Sequence, residues 1–168
     1  MSKIYFFNGW AMDENLLSPL KNSTEYEIKV INFPYNINKT SIDKEDIFIA
    51  YSFGVYYLNK FLSENQDLVY EKAIGINGLP ETIGKFGINE KMFNMTLETL
   101  NKENLEKFLL NMDIDESFGR ANKTLEEAKY ELQYFKDNYK AIPNCIDFYY
   151  IGENDRIIPA NKVEKYCK

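Results

Sequence analysis

A serine stands where an apolar strand gives way to a helix, and this arrangement constrains the fold more than any other feature. An apolar run leads into Ala50-Tyr51-Ser52-Phe53-Gly54, and apolar residues at helical spacing follow. A nucleophilic serine on a strand-to-helix turn needs small residues two positions to either side, because strand and helix pack closely there. Gly54 meets that demand and Ala50 nearly does. The pattern predicts a nucleophilic Ser52; the alternative is a buried serine in an ordinary connection.

The first strand and the turn after it supply the second part of the pattern. The apolar run 4–7 leads into Asn8-Gly9-Trp10. In serine hydrolases of the α/β type, the turn after such a strand contributes one backbone N–H to the oxyanion hole, and the residue after the nucleophile contributes the other. We therefore expect the N–H groups of Trp10 and Phe53 to form the oxyanion hole. The alternative for Trp10 is an aromatic side chain packed beneath a loop.

A carboxylate downstream of the serine is the third part. The apolar run 146–151 ends at Gly152-Glu153-Asn154-Asp155. An acid in the loop after a late strand fits the chain order serine, acid, histidine. Asp155 is the candidate acid. Glu153 comes too early for the usual spacing, and we expect it to be a solvated surface carboxylate.

The histidine of such a triad is missing, because the 168 residues contain none. Without an imidazole, Ser52 has no general base of suitable pKa, and loss of one triad member lowers the rate by several orders of magnitude. Only 13 residues follow Asp155, enough for one helix but not for a further strand, and a sheet without its last strand keeps an unpaired edge. We expect the final strand, helix and histidine to lie outside this sequence. The alternative is a degenerate hydrolase that binds without turnover.

Several segments together resemble a known family, the short-type pimeloyl-[acyl-carrier protein] methyl ester esterases. The segments are Phe6-Phe7-Asn8-Gly9-Trp10-Ala11-Met12-Asp13, Ala50-Tyr51-Ser52-Phe53-Gly54 and Ile76-Asn77-Gly78-Leu79-Pro80. Residues 87–112 are similar to the cap region of that family. The resemblance extends over essentially the whole of residues 1–168, and its specificity comes from the order and spacing of the segments together.

The resemblance implies an α/β-hydrolase fold and hydrolysis of the methyl ester of a pimeloyl chain on acyl carrier protein, a step of biotin synthesis. It implies Ser52 as nucleophile, Asp155 as the residue that orients the missing histidine, and Trp10 and Phe53 as the oxyanion hole. An esterase or thioesterase with another acyl substrate stays an alternative, because pocket residues outside any motif set the acyl preference.

The distribution of charged residues restricts the class of macromolecule that the chain can bind. A net charge of −6 argues against nucleic acid and would also oppose an acidic carrier protein. Lysines and arginines between residues 80 and 130 would have to form a local basic patch. Within it, Arg120 is the candidate contact for a phosphopantetheine phosphate or a carrier carboxylate, with an ordinary surface charge as the alternative. Asn77, at the end of a predicted strand, is a further candidate substrate contact.

Alternating apolar runs predict one domain with a mostly parallel sheet covered on both faces. The predicted strands are residues 4–7, 26–33, 47–51, 72–76 and 146–151, and the predicted helices are residues 13–20, 53–63, 89–97, 102–112, 124–138 and 159–166. Three successive helices have no strand between them. We expect them to form a small helical cap, at about 80–140, over the sheet edge where ligands bind.

The cysteine spacing and the apolar patterning of the sequence indicate whether to expect a metal, a cofactor or a membrane segment. Neither the two cysteines nor any other residues show a zinc or redox spacing. The sequence shows no secretory signal pattern and no apolar stretch of membrane-spanning length. We therefore expect a monomeric cytoplasmic protein without a metal or cofactor.

Overall fold

The centre of the molecule is a parallel five-stranded sheet. A computed structural model describes residues 2–20, 23–112 and 119–168. The strands are β1 (Lys3–Phe7), β2 (Glu27–Ile31), β3 (Ile47–Tyr51), β4 (Lys72–Ile76) and β5 (Phe148–Tyr150), in the order β2-β1-β3-β4-β5. All five predicted strands are confirmed. β2 and β5 are shorter than their apolar runs, and both are edge strands that pair on one side only.

The strand order reverses direction at β1. Val30 of β2 pairs with Phe6 of β1 on one side, and Ile49 of β3 pairs with Phe6 on the other. The chain therefore leaves β1 in one direction and returns on its opposite side, which makes the β1–β3 junction a topological switch point. In open parallel sheets, ligands bind beyond the carboxyl ends of the strands at this junction. The turns after Phe7 and Tyr51 both lie there.

The helices follow the predicted positions closely. They are α1 (Gly54–Glu64), α2 (Glu90–Thr99), α3 (Lys102–Asn111), α4 (Leu125–Asn138) and α5 (Ala160–Tyr166). Asn89, Asn101 and Thr124 cap three of them, because their side chains accept backbone N–H groups of the first turn. The predicted helix at 13–20 is a 3-10 helix, Glu14–Leu20, that contains Pro19. Proline has no N–H to continue an α-helical ladder.

One face of the sheet forms the main core together with α1. Alternate side chains of the central strands, including Phe7, Phe48 and Ala73, pack with Leu58 and Leu62 of α1. Each large apolar side chain buried in this way stabilises the fold by about 1.5–3 kcal/mol. The opposite face is less covered at β5, where Phe148 and Tyr150 are 57% and 64% exposed.

The helices between β4 and β5 cover the carboxyl end of the sheet. Phe93 of α2 and Leu132 and Phe135 of α4 form a second core with Trp10 and Phe53. We call α2, α3 and α4 the cap. Its packing on Trp10 and Phe53 sets the cap directly above the two turns of the switch point. No described helix has the length and apolar character needed to cross a membrane.

Candidate active site

Ser52 occupies a sharp turn between β3 and α1. Its φ is 54°, a left-handed conformation that costs a non-glycine residue about 1–3 kcal/mol and that clusters at functional sites. The Ser52 N–H donates to the Ile76 carbonyl oxygen at 3.0 Å. Close approach requires two glycines: a Cβ at Gly54 would stand 2.2 Å from the Phe7 carbonyl oxygen, and one at Gly78 would stand 2.3 Å from the Ser52 carbonyl oxygen. The turn is thus held against both β1 and β4.

The turn after β1 lies against the Ser52 turn. A Cβ at Gly9 would lie 3.3 Å from the Ser52 Cβ, so the two turns are in contact. Within residues 2–20, 23–112 and 119–168, the backbone N–H groups of Trp10 and Phe53 have no hydrogen-bond acceptor. In acyl-transfer enzymes in general, backbone N–H groups next to the nucleophile stabilise the developing oxyanion.

Asn8 holds the β1 turn in this shape. The side chain is fully buried, and its Oδ1 accepts the Gly9 N–H at 3.0 Å. Its Nδ2 donates to the Asp13 carbonyl oxygen at 2.8 Å and to the Asn32 Oδ1 at 3.1 Å. The amide therefore satisfies both of its ends inside the turn, and its role here is structural.

The loop after β5 carries Asp155. Its Oδ1 accepts the N–H groups of Ile157 and Ile158 at 2.7 and 2.9 Å. Its Oδ2 has no partner in the part of the chain that the structure describes. One oxygen therefore holds the loop in shape, and the other is available as a hydrogen-bond acceptor. An acid that orients a base needs such an acceptor.

Asn77 ties this loop to the end of β4. Its backbone has a φ of 46°, and its N–H donates to the Tyr150 carbonyl oxygen at 3.0 Å. The Asn77 Oδ1 accepts the Gly152 N–H at 2.7 Å. The side chain thus positions the loop that carries Asp155 in addition to facing the cavity described next.

Three of the residues singled out from the sequence meet in one cleft. Ser52, Asn77 and Asp155 line a cavity of about 190 Å³, together with Glu153 and Arg156. The sequence contains no histidine to complete a triad there. Among the described residues, no group of three or more His, Cys, Asp or Glu side chains is placed to hold a metal ion.

An apolar slot opens beside this cleft and extends beneath the cap. Its volume is about 110 Å³, and most of the residues that line it are apolar: Trp10, Phe53, Ile88, Met92, Phe93, Phe108, Leu132 and Ile157, with Thr96 and Arg156 as the polar members. Arg156 and Ile157 line both the slot and the Ser52 cleft. Trp10 and Phe53 line the slot, and they are also the two residues near Ser52 whose backbone N–H groups have no acceptor among the described residues.

Arg120 lies in a different cavity. It lines a space of about 520 Å³ formed by the cap and by the chain after β1, and it is not among the residues that line the Ser52 cleft. Its Nη1 is 2.5 Å from the Glu106 Oε2. An anionic ligand at Arg120 would have to compete with this carboxylate.

Sequence reasoning missed Glu131, which links the cap to the turn after β1. Its side chain is buried, its Oε2 accepts the Ala11 N–H at 3.1 Å, and its Oε1 pairs with Lys123. Burial raises the pKa of Glu131, and the pairing with Lys123 opposes that rise. Nearby, the Trp10 Nε1 donates to the Ala128 carbonyl oxygen at 2.8 Å. The sequence did contain a signal for this residue, because Glu131 occupies a core position in the apolar stripe of α4.

Comparison with known proteins identifies the fold. No protein-family model and no curated protein matches the sequence. The crystal structure of BioG from Haemophilus influenzae matches with a TM-score of 0.82 at 18% identity, over 99% of this chain and 83% of that one. This chain has the BioG fold. Naproxen esterase (carboxylesterase NP) from Bacillus subtilis matches with a TM-score of 0.46 at 12% identity, over 93% of this chain and 63% of that one. The fold class predicted from the sequence is confirmed.

Proposed function

We propose that the chain is a serine carboxylic ester hydrolase with Ser52 as its nucleophile. One observation carries the proposal: Ser52 sits in a left-handed turn, and the backbone N–H groups of Phe53, the next residue, and of Trp10, in the adjoining turn, have no acceptor among the described residues. Strained geometry alone fits many turns, but a strained serine with two free donors next to it fits acyl transfer. Asp155 in the same cleft adds an acid with one oxygen that has no partner among the described residues.

The chemistry assigns a role to each group. The Ser52 hydroxyl oxygen attacks the ester carbonyl carbon while a base takes its proton. The carbonyl oxygen becomes an oxyanion held by the Trp10 and Phe53 N–H groups. Return of the proton to the leaving alkoxide releases the alcohol, and water then hydrolyses the acyl-Ser52 ester by the same steps. Asp155 orients the base and stabilises its positive charge.

The presence or absence of a general base distinguishes two candidate functions of this site. No histidine occurs in the 168 residues, so turnover by these residues alone is expected to be several orders of magnitude below that of a complete triad. The second candidate function, a hydrolase-fold protein that binds without turnover, is favoured by this one observation. Both functions use the same cleft and slot, and they differ in whether an imidazole restores chemistry.

For the substrate, we propose the methyl ester of a pimeloyl chain on acyl carrier protein. Support comes from the resemblance of the turn after β1, the Ser52 turn and the cap segments to the esterases of that substrate, and from the apolar slot that borders the Ser52 cleft. Carrier recognition would rest on the basic residues of the cap against the overall charge of −6. Another acyl ester or thioester is the alternative within the same chemistry.

Imidazole added to the protein tests the proposal directly. An apolar cavity of roughly 150 Å³ holds a benzene molecule, so the 190 Å³ cleft has room for the smaller imidazole ring between Ser52 and Asp155. We expect hydrolysis of p-nitrophenyl butyrate to rise with imidazole concentration and to saturate. Ser52→Ala should lower the rescued rate by a factor on the order of a thousand.

Two controls separate site chemistry from background. N-methylimidazole reacts with such esters in solution but cannot present an N–H to Asp155, so it should rescue less well than imidazole. A fluorophosphonate probe in the presence of imidazole should label Ser52 alone. A rescued rate that is unchanged in Ser52→Ala would show that the reaction occurs outside the site and would rule out Ser52 as nucleophile.

A further inference from the structure

We infer that Arg156 and the apolar slot together bind the carboxylate of a short acyl chain, with the tail in the slot and the carboxylate against the guanidinium. Arg156 has no ion pair or hydrogen bond within the described residues. It stands at the boundary between the slot and the Ser52 cleft and lines both. The chain has only one other arginine, Arg120, and that one is paired with Glu106.

The two sides of this boundary differ in charge, and among the described residues only the slot side has a positive charge without an acid. Of the residues that the structure describes, Arg156 is the only charged one that lines the slot. The two acids nearby, Glu153 and Asp155, line the cleft but not the slot. A guanidinium presents parallel N–H donors that match a carboxylate, and an apolar tail in the slot would exclude water from one side of the pair. The slot therefore selects an amphipathic anion over an inorganic one.

The size of the slot limits the tail. If a cavity of roughly 150 Å³ holds the six carbons of benzene, a slot of about 110 Å³ holds about four or five carbons. With its carboxylate at the boundary, hexanoate fits this limit. Longer chains would have to extend out of the slot past the cap.

The biological role of this binding rests on the proposed function, because ester hydrolysis at Ser52 generates a carboxylate in the cleft that Arg156 also lines. Arg156 would then hold the acid product, and the product would inhibit the reaction. The binding itself requires no turnover. It can be measured whether or not Ser52 is a nucleophile.

Trp10 provides the measurement. It is the only tryptophan in the chain, and its ring lines the slot, so its fluorescence should change when a tail enters. We expect hexanoate to titrate this signal in the wild type and in Ser52→Ala. Arg156→Gln should weaken hexanoate binding about tenfold while leaving the binding of the neutral 1-hexanol unchanged.

Arg120→Gln is the matched control, since it removes the same charge from a different cavity, and it should leave hexanoate affinity unchanged. Inorganic phosphate should compete with hexanoate at least tenfold less well than butanoate does. Equal affinity of Arg156→Gln and wild type for hexanoate, equal competition by phosphate, or no fluorescence change at all would overturn the inference. Binding without imidazole-rescued hydrolysis would instead leave the inference standing and remove the proposed enzymatic function.

Discussion

Gly54 offers the sharpest test of how the site is built. A Cβ at this residue would stand 2.2 Å from the Phe7 carbonyl oxygen and 2.6 Å from the Asn8 carbonyl oxygen. Real Cβ contacts essentially never fall under 3.0 Å, so in Gly54→Ala the ends of β1 and α1 must separate by about 0.8 Å. The obstructing atoms are backbone, which cannot rotate away as a side chain can.

The loss of stability in Gly54→Ala follows from this separation of β1 and α1. Overpacking a filled interior costs about 1–3 kcal/mol, and the backbone clash places Gly54→Ala at the upper end of that range. The greater helix propensity of alanine returns at most about 1 kcal/mol, so we expect a net loss of about 2 kcal/mol in the free energy of unfolding. For a chain of this size, the melting temperature should fall by about 4–8 °C, as measured by calorimetry or circular dichroism.

Gly152→Ala is the control in the same cleft. Its Cβ would meet only the Asn77 amide, at 3.4 and 3.5 Å, which is ordinary contact, so its stability should stay within about 0.5 kcal/mol of wild type. Gly54→Ala should also reduce imidazole-dependent labelling of Ser52, because a misplacement of about 1 Å can cost on the order of a hundredfold in rate. If both variants melt together with the wild type, the close packing of β1 against the Ser52 turn does not hold.

Two further predictions concern the cap. Burial raises the pKa of Glu131, so its contribution to the free energy of unfolding is fully present below the ordinary value near 4.5 and is lost as the pH rises through the folded-state pKa. Glu131→Gln should abolish this loss in chemical unfolding curves measured between pH 4 and 8. A variant with the same pH profile as the wild type would contradict the burial argument. In imidazole-rescued assays at low salt, Arg120→Glu should raise the KM for a carrier-bound ester severalfold and leave the KM for a free methyl ester nearly unchanged. An equal change in KM for both substrates would show that Arg120 is not a carrier contact.

Much of the framework could be predicted because its signals are local. Each strand is a short apolar run, and each cap helix begins at an Asn or Thr whose side chain can accept N–H groups of the first turn. The Ser52 turn was visible because small residues are required two positions away on either side. The 3-10 conformation of Glu14–Leu20 was missed, although Pro19 within it was a local signal against an α-helix.

The roles of the charged side chains depended on contacts between distant parts of the chain. The Glu131 carboxylate accepts the N–H of Ala11, 120 residues away in sequence, and nothing near either residue predicts the pair. The two arginines look alike in sequence, yet Arg120 lies against Glu106 and Arg156 borders the Ser52 cleft. Periodicity and turn chemistry act over a few residues, so the sequence alone determined the strands, the helices and the serine turn. The packing of the cap on the sheet edge decided which charges are paired, which pKa is raised and where an apolar slot opens, because only folding brings those residues together.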